Sequence, residues 1–268
     1  MKEEVLNIRK NIIKTAFNCN GKVHWGSVLS CVEIMYVLYG IVSNVSDKNI
    51  PYNEKDQIIV SKGQAALAMY AAMHEAGMIN DDFVTQFQNN GSIFCEEIMQ
   101  NEELEIPCAT GSLGIGMPYA VGVALRKKRK GELGVVYTVV GDGECEEGSI
   151  WEAIMCASKY SLNNLVMLID YNGLQADGAI DDIMRLGKLR DKFLSFGWRV
   201  SEVNGHDCNL LAKTLKSCGE KPHVIVAKTI KGKGISFMEN EYMWHDNVLN
   251  RELLMQACKE VGIEYVRD

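Results

Sequence analysis

The stretch from Gly134 to Gly178, GVVYTVVGDGECEEGSIWEAIMCASKYSLNNLVMLIDYNGLQADG, constrains the fold more than any other part of the chain. It opens on a short run rich in β-branched residues, Val135 to Val140, which predicts a buried strand. Gly141-Asp142-Gly143 breaks that strand. An acidic, helix-compatible segment follows from Glu144 to Tyr160, with Trp151, Ile154, Met155 and Ala157 spaced three and four apart. Asn163-Asn164 marks a turn, and Leu165 to Ile169 predicts a second buried strand that ends in Asp170-Tyr171-Asn172-Gly173. A strand–helix–strand crossover makes its two strands parallel and, as a rule, neighbours.

Asp142 and Asn172 then sit just past the carboxyl ends of strands about 4.8 Å apart. One carboxylate and one amide oxygen can converge there, in the crevice where open α/β sheets bind ligands. A carboxylate, a side-chain amide and a backbone carbonyl suit a hard cation such as Mg²⁺, which keeps its other octahedral positions for phosphate oxygens and water. Gly143 lets a phosphate approach the backbone closely, and the helix start beyond it offers N–H donors. Spacing alone thus points to a metal-diphosphate site and leaves an ordinary strand-to-helix turn open.

Elsewhere the pattern continues as helices alternating with strands. Val5, Ile8, Ile12, Ile13, Ala16 and Phe17 predict an amphipathic helix over Lys2 to Asn18, and a second apolar helix is expected over Leu29 to Tyr39. Asp56 to Gln64 reads as a charged entry, a short strand and a glycine turn before a helix over Ala65 to Ala76. Thr110 to Gly116 opens a helix over Met117 to Arg129, whose basic end suits the helix dipole. Further strands are expected at Trp198 to Val203 and Pro222 to Lys228, with a helix over Leu210 to Lys216 between them. Such alternation predicts a doubly wound, mostly parallel α/β sheet with helices on both faces.

The 268 residues, 47% of them hydrophobic, can fill one sizeable core, and no repeat or linker divides residues 1–268, so one domain is expected. A net charge of −7 argues against a nucleic-acid partner. Nine scattered cysteines without a C-x-x-C pair fit reduced thiols in a cytoplasmic protein. The start MKEEVLNIRK lacks an apolar leader, and no run of about 18 apolar residues occurs, so neither export nor a membrane span is expected.

The wording of the central segment adds more. Gly-Asp-Gly, with an asparagine 30 residues after Asp142 that is followed by Gly-Leu-Gln, resembles the thiamine diphosphate signature. The fuller run GDGECEEGSIWEAIMCAS…NNLVMLIDYNGLQADG resembles the transketolase family. That resemblance implies the thiamine-diphosphate-binding fold, with Asp142, Asn172 and the Leu174 carbonyl on Mg²⁺ (or Ca²⁺) and Gly143 meeting the diphosphate. It also places His24, in His-Trp-Gly-Ser, and His245, in Trp-His-Asp, toward the sugar, His245 reaching the diphosphate as well. TGSLGIGMPYAVGVAL is similar to the family segment against the cofactor rings, with Gly111, Ser112 and Leu113 matching. Glu147 and Glu152 match glutamates that sit near the subunit contact and link paired active sites; two exposed helix carboxylates are the other reading.

Three positions depart from the family, one of them Asp246 after His245, where the usual wording is His-Gly. The turn normally reads Ser-x-Gly-His, with the histidine on the diphosphate; here Gln64 stands there, an amide that donates a hydrogen bond but carries no charge. The family also has Gly-His-Pro near the middle of Phe87 to Glu97, where this chain reads Gly91-Ser92-Ile93-Phe94-Cys95-Glu96-Glu97 with no histidine. Cys95 there reads as a small hydrophobe rather than a nucleophile.

The resemblance covers only the first domain of a transketolase. It implies an N-terminal subunit working with a separate C-terminal transketolase subunit, in a heterotetramer with two copies of each, on a sugar or sugar derivative. The implied reaction moves a two-carbon ketol unit from a ketose to an aldose. Another thiamine diphosphate enzyme, of deoxyxylulose-synthase or dehydrogenase type, and a non-catalytic binding subunit stay open.

Overall fold

The computed structural model describes residues 3–217 and 219–264. In chain order its helices and strands begin with α1 (Glu3–Asn18), β1 (Lys22–Val23), α2 (Trp25–Ser30), α3 (Val32–Val37), β2 (Gln57–Val60), α4 (Ala66–Glu75) and α5 (Asp82–Gln86). The central run is α6 (Gly116–Lys130), β3 (Val136–Gly141), α7 (Gly148–Lys159), β4 (Leu165–Tyr171), α8 (Ile180–Ile183) and α9 (Leu189–Ser195). The chain closes with β5 (Arg199–Asn204), α10 (Cys208–Leu215), β6 (His223–Lys228), β7 (Asn247–Val248) and α11 (Arg251–Val261).

Five strands form one wholly parallel sheet in the order β2-β3-β4-β6-β5. Strand residues alternate faces, and the two faces bury different helices. Tyr137, Val139, Val166, Leu168 and Ile225 face a core that includes Ile8 and Ile12 of α1, Met35 of α3 and Tyr70 of α4. Val136, Val140, Leu165, Met167 and Val224 face Ala120 of α6, Ile154 of α7 and Phe193 of α9. The doubly wound architecture is therefore as expected. β3 and β4 are parallel neighbours, with Gly141 opposite Asp170, so Asp142 and Asn172 both leave the sheet at one edge.

Several elements differ in detail. The helix expected over Leu29 to Tyr39 is two short helices meeting at Cys31, followed by a wider π turn at Leu38–Val42. The acidic segment starts as a tight 3₁₀ turn, Gly143–Glu146, before α7 begins at Gly148. That turn brings the Glu144 carboxylate back to accept from Gly141 N at 3.1 Å and Gly114 N at 2.9 Å. The segment from Asp181 to about Leu194, which reads as one helix, holds two short ones, α8 and α9; α5 and α11 are not anticipated. The amphipathic α11 buries Leu254, Ala257, Cys258 and Val261, is capped by Asn250 Oδ1 accepting from Leu253 N at 2.9 Å, and stops at Gly262 in the left-handed region (φ 71°).

One buried network ties the first helix to the last loop. The Arg9 guanidinium donates to Glu33 at 2.9 and 3.1 Å, and Glu33 also accepts from His206 Nδ1 at 3.0 Å. His206 Nε2 accepts from Ile230 N at 2.9 Å, which fixes the ring proton on Nδ1. This Gly-His-Asp turn is thus structural; it anchors the Thr229–Gly234 loop, which carries Lys231 to the site.

Candidate active site

At the carboxyl edge of β3 and β4 lies an open cleft of about 770 Å³, mouth included. Its walls include Lys62, Gln64, Asp142, Asn172, Lys231 and His245. Asp142 is 3% exposed, and its Oδ1 accepts from Gly143 N at 2.9 Å while Oδ2 accepts from Gly173 N at 2.6 Å. Gly173 can turn the chain there because it holds the left-handed conformation (φ 78°). Asn172 Oδ1 accepts from Leu174 N at 3.1 Å, which fixes its side chain beside the same turn. Burial, reinforced by the nearby Asp170 carboxylate, pushes the Asp142 pKa up to about 6.

Behind this edge sits an ion pair inaccessible to solvent. The Lys62 ammonium donates to Asp170 Oδ2 and to the Ser27 carbonyl at 3.1 Å. Asp170 also accepts from Ser30 Oγ at 2.6 Å and from Thr229 Oγ1. Burial opposes both charges, yet the pair outweighs it: the Lys62 pKa rises and the Asp170 pKa falls. The full set of partners is what makes such a pair tolerable in the interior.

Lys231, 1% exposed, donates to the Leu174 carbonyl at 3.3 Å, the Gln175 carbonyl at 3.1 Å and His245 Nδ1 at 3.0 Å. Burial and the neighbouring Lys62 charge lower its pKa to about 8. Because Nδ1 of His245 accepts from an ammonium, the proton of the neutral ring sits on Nε2. Burial and the Lys231 charge depress the His245 pKa to about 4, so this ring stays neutral at physiological pH.

The rim beside this cleft carries fewer internal bonds. The His24 and His245 rings meet edge to face at 6.0 Å. His24 Nδ1 lies 3.3 Å from Glu96 Oε1, but without hydrogen-bonding alignment, so both atoms are buried and unpartnered. His24 Nε2 lies 4.0 Å from Glu97 Oε1, and Glu97 Oε2 is a third buried atom without a partner. Burial, then Glu96 and Asp246, raises the Glu97 pKa to about 7.

The structure thus brings Gln64, Leu113, Asp142, Gly143, Asn172, Leu174, Glu147 and His245 to one cleft, with His24 against His245. Gly111 and Ser112 are exposed on the loop before Leu113 rather than in the cleft wall, and Glu152 is exposed on α7 away from it. Ser27, Lys62, Asp170 and Lys231 were not singled out from the sequence. A lysine two residues before Gln64 and a lysine in a Gly/Lys turn look like solvated charges until the fold buries them.

The oxygen donors fit a hard cation. A buried carboxylate, an amide oxygen and a carbonyl face one edge, and that carbonyl already draws an ammonium. Residues 2–267 match the model of the transketolase thiamine diphosphate-binding domain.

This chain belongs to the transketolase family.

It is 37% identical over 259 residues to one subunit of the apulose-4-phosphate transketolase of Actinobacillus succinogenes, covering 96% of this chain and 94% of that one. It is 34% identical over 247 residues to the 6-deoxy-6-sulfo-D-fructose transketolase subunit SqwG of a Clostridium species, covering 91% and 90%. The solved transketolase of Campylobacter jejuni superposes with a TM-score of 0.84 at 24% identity, over 98% of this chain but 44% of that one. The chain therefore spans less than half of that solved transketolase and nearly the full length of the two subunits. As a transketolase it is a transferase of ketol groups, and its part is the thiamine diphosphate-binding one. Among the described residues, no helix is long and apolar enough to cross a membrane.

Proposed function

We propose that this chain is a single diphosphate-binding domain, residues 1–268, that acts as the N-terminal subunit of a two-subunit, Mg²⁺-dependent transketolase. The convergence of Asp142, Asn172 and the Leu174 carbonyl at one edge of the sheet carries this reading. These three groups hold Mg²⁺ (or Ca²⁺), with Gly143 N–H, Gln64 and Lys231 toward the diphosphate and Leu113, with Gly111 and Ser112, along the rings. Bound thiamine diphosphate supplies the carbanion that carries the two-carbon unit. The protein's part is to position, to exclude water and to move protons. His245, held by Lys231 with its proton on Nε2, offers that N–H to the diphosphate and the sugar; His24 faces the sugar beside it.

A pyrimidine-binding C-terminal subunit completes the site. Its support is the length match to relatives that are themselves named as subunits of transketolases, and the exposure of Leu113 (38%), Ile115 (48%) and Tyr119 (38%) along the α6 entry beside the cleft. An apolar patch of this kind at a site rim suits a protein contact. Glu147 and Glu152 stand on the neighbouring α7 end and reach the same contact, in an assembly with two copies of each subunit. The complex works in the cytoplasm, where its free cysteines stay reduced. Its substrates are sugars or sugar derivatives of the kind that the relatives' names describe, apulose-4-phosphate and 6-deoxy-6-sulfo-D-fructose.

The test is a donor assay on the purified two-subunit complex. Release of an aldose from a ketose donor, with none of the products expected from pyruvate, supports ketol transfer. Turnover of pyruvate alone contradicts it and favours the dehydrogenase or deoxyxylulose-synthase type.

A further inference from the structure

Glu97 does not line the diphosphate cleft, yet it is wedged between the two turns that do. A Cβ on Gly63, next to Lys62 and Gln64, would lie 2.8 Å from Glu97 Oε2, and one on Gly111 would lie 3.4 Å from Glu97 Cβ. From the third side, His24 Nε2 approaches Glu97 Oε1 at 4.0 Å. One carboxylate oxygen is buried with no partner at all. The rest of the Glu97 side chain is 37% exposed, so this one oxygen is desolvated without compensation inside a group that a small molecule can reach, and an unsatisfied atom of this kind calls for an explanation. Among the described residues, no lysine or arginine pairs with Glu97. The charged groups around it are His24 from the loop before α2, Glu96 from its own segment and Asp246 from the turn after Trp244. Lys22 reaches Glu96 at 3.9 Å, not Glu97.

Resting on the transketolase reading, we propose that Glu97 is the proton-exchanging residue of the sugar-facing wall, doing with a carboxyl group what this histidine-free segment cannot do with an imidazole. In the donor half, the C–C bond of the ketose breaks and its electron pair stays with the two-carbon fragment. The hydroxyl oxygen on the departing carbon becomes the aldehyde oxygen, and its proton passes to the Glu97 carboxylate. In the acceptor half, the Glu97 carboxylic acid returns that proton to the acceptor's aldehyde oxygen as the new C–C bond forms. A group that must accept and then donate works best when its pKa is near the working pH. Burial beside Glu96 and Asp246 holds Glu97 at about 7.

The experiment compares wild type, Glu97→Gln and Glu97→His in the two-subunit complex. Gln keeps the shape and cannot exchange a proton, so kcat falls by roughly 10²-fold or more while thiamine diphosphate affinity is unchanged. The donor half-reaction of the wild type speeds up as pH rises through about 7, where the carboxylate forms; the Gln variant lacks this limb, and the His variant regains most of the rate. A second readout needs no turnover. The infrared difference between wild type and Glu97→Gln, taken without cofactor, shows a carboxylic acid band that disappears as pH rises through about 7. A Gln variant with wild-type rate and pH profile, or a band that titrates near the ordinary glutamate value, overturns the proposal. If the wild-type complex transfers no ketol unit, the transketolase reading fails instead, and the infrared arm still reports on Glu97 separately.

Discussion

The cleft and the rim beside it, where His24 meets His245, are built differently. At the diphosphate end, Lys62, Asp170, Asp142 and Lys231 are buried, and each has two or more hydrogen-bond partners supplied by this chain. At the rim, which the proposed function turns toward the sugar, His24 Nδ1, Glu96 Oε1 and Glu97 Oε2 are buried with none. Buried polar groups in folded proteins are nearly always paired, so the rim holds hydrogen-bonding capacity that its own residues leave unused. On the proposed function, the diphosphate end can be complete in advance because its ligand is one fixed group. The sugar end leaves donors and acceptors for a substrate to satisfy, at some expense in stability. The departures from the family's wording fall on both sides: Glu96 and Glu97 lie in the histidine-free segment, and Gln64 lines the cleft.

This contrast can be broken by mutation. Asp170→Ala, at the complete end, strands the buried Lys62 ammonium and should cost about 3–5 kcal/mol, read by urea unfolding of the protein. An effect below about 1 kcal/mol, the scale of an exposed pair, removes the claim that this pair braces the site. Asp142→Ala should abolish metal-dependent cofactor binding by the complex, a loss beyond the roughly 10–100-fold typical of groups that only orient metal ligands. Calorimetry that finds tight binding retained would sink the metal assignment.

The pH dependence of stability tests Asp142 separately. Its folded pKa, about 6, lies above the ordinary 3.8, so between these values the folded state holds a proton that the unfolded state has lost. Its contribution to stability is therefore present at low pH and is lost as pH rises through about 6. The difference between wild type and Asp142→Asn, both free of metal, should show this slope; any lost hydrogen bond adds only a constant offset. Added Mg²⁺ should cancel the slope in the wild type alone, since the ion favours the carboxylate. The smallest effect belongs to the sugar end: Glu96→Gln should change stability by no more than about 0.5 kcal/mol, and in the stabilising direction, because it removes charge from a set of three neighbouring carboxylates. A loss comparable to that of Asp170→Ala erases the contrast.

The sheet and its ligand edge were legible in the sequence because they are local. A β-branched run, a glycine break and a helical spacing place Asp142 and Asn172 on parallel neighbours, as β3 and β4 show. The strand ends moved by only a residue or two. The helix start did not follow from spacing: Glu144 folds back onto Gly141 and Gly114, and that tertiary bond makes the 3₁₀ turn. In α11 the signals were present, with Asn250 as cap, apolar residues at 254, 257, 258 and 261 and a stop at Gly262. The lysines were the true gap. Lys62 and Lys231 are lysines in glycine turns, and only partners 108 and 56 positions away, Asp170 and the Gln175 carbonyl, turn them into interior groups. The juxtaposition of Glu97 with Gly63, Gly111 and His24 is likewise a property of the folded surface.

On the proposed function, this chain supplies a finished diphosphate end to a site that a second subunit must close. Calorimetric titration with thiamine diphosphate and Mg²⁺, of this chain alone and of its complex with the C-terminal subunit, tests it most directly. Saturable one-to-one binding by the complex, with much weaker binding by the chain alone, is the predicted result. No binding by either one contradicts the account and leaves a non-catalytic subunit in its place.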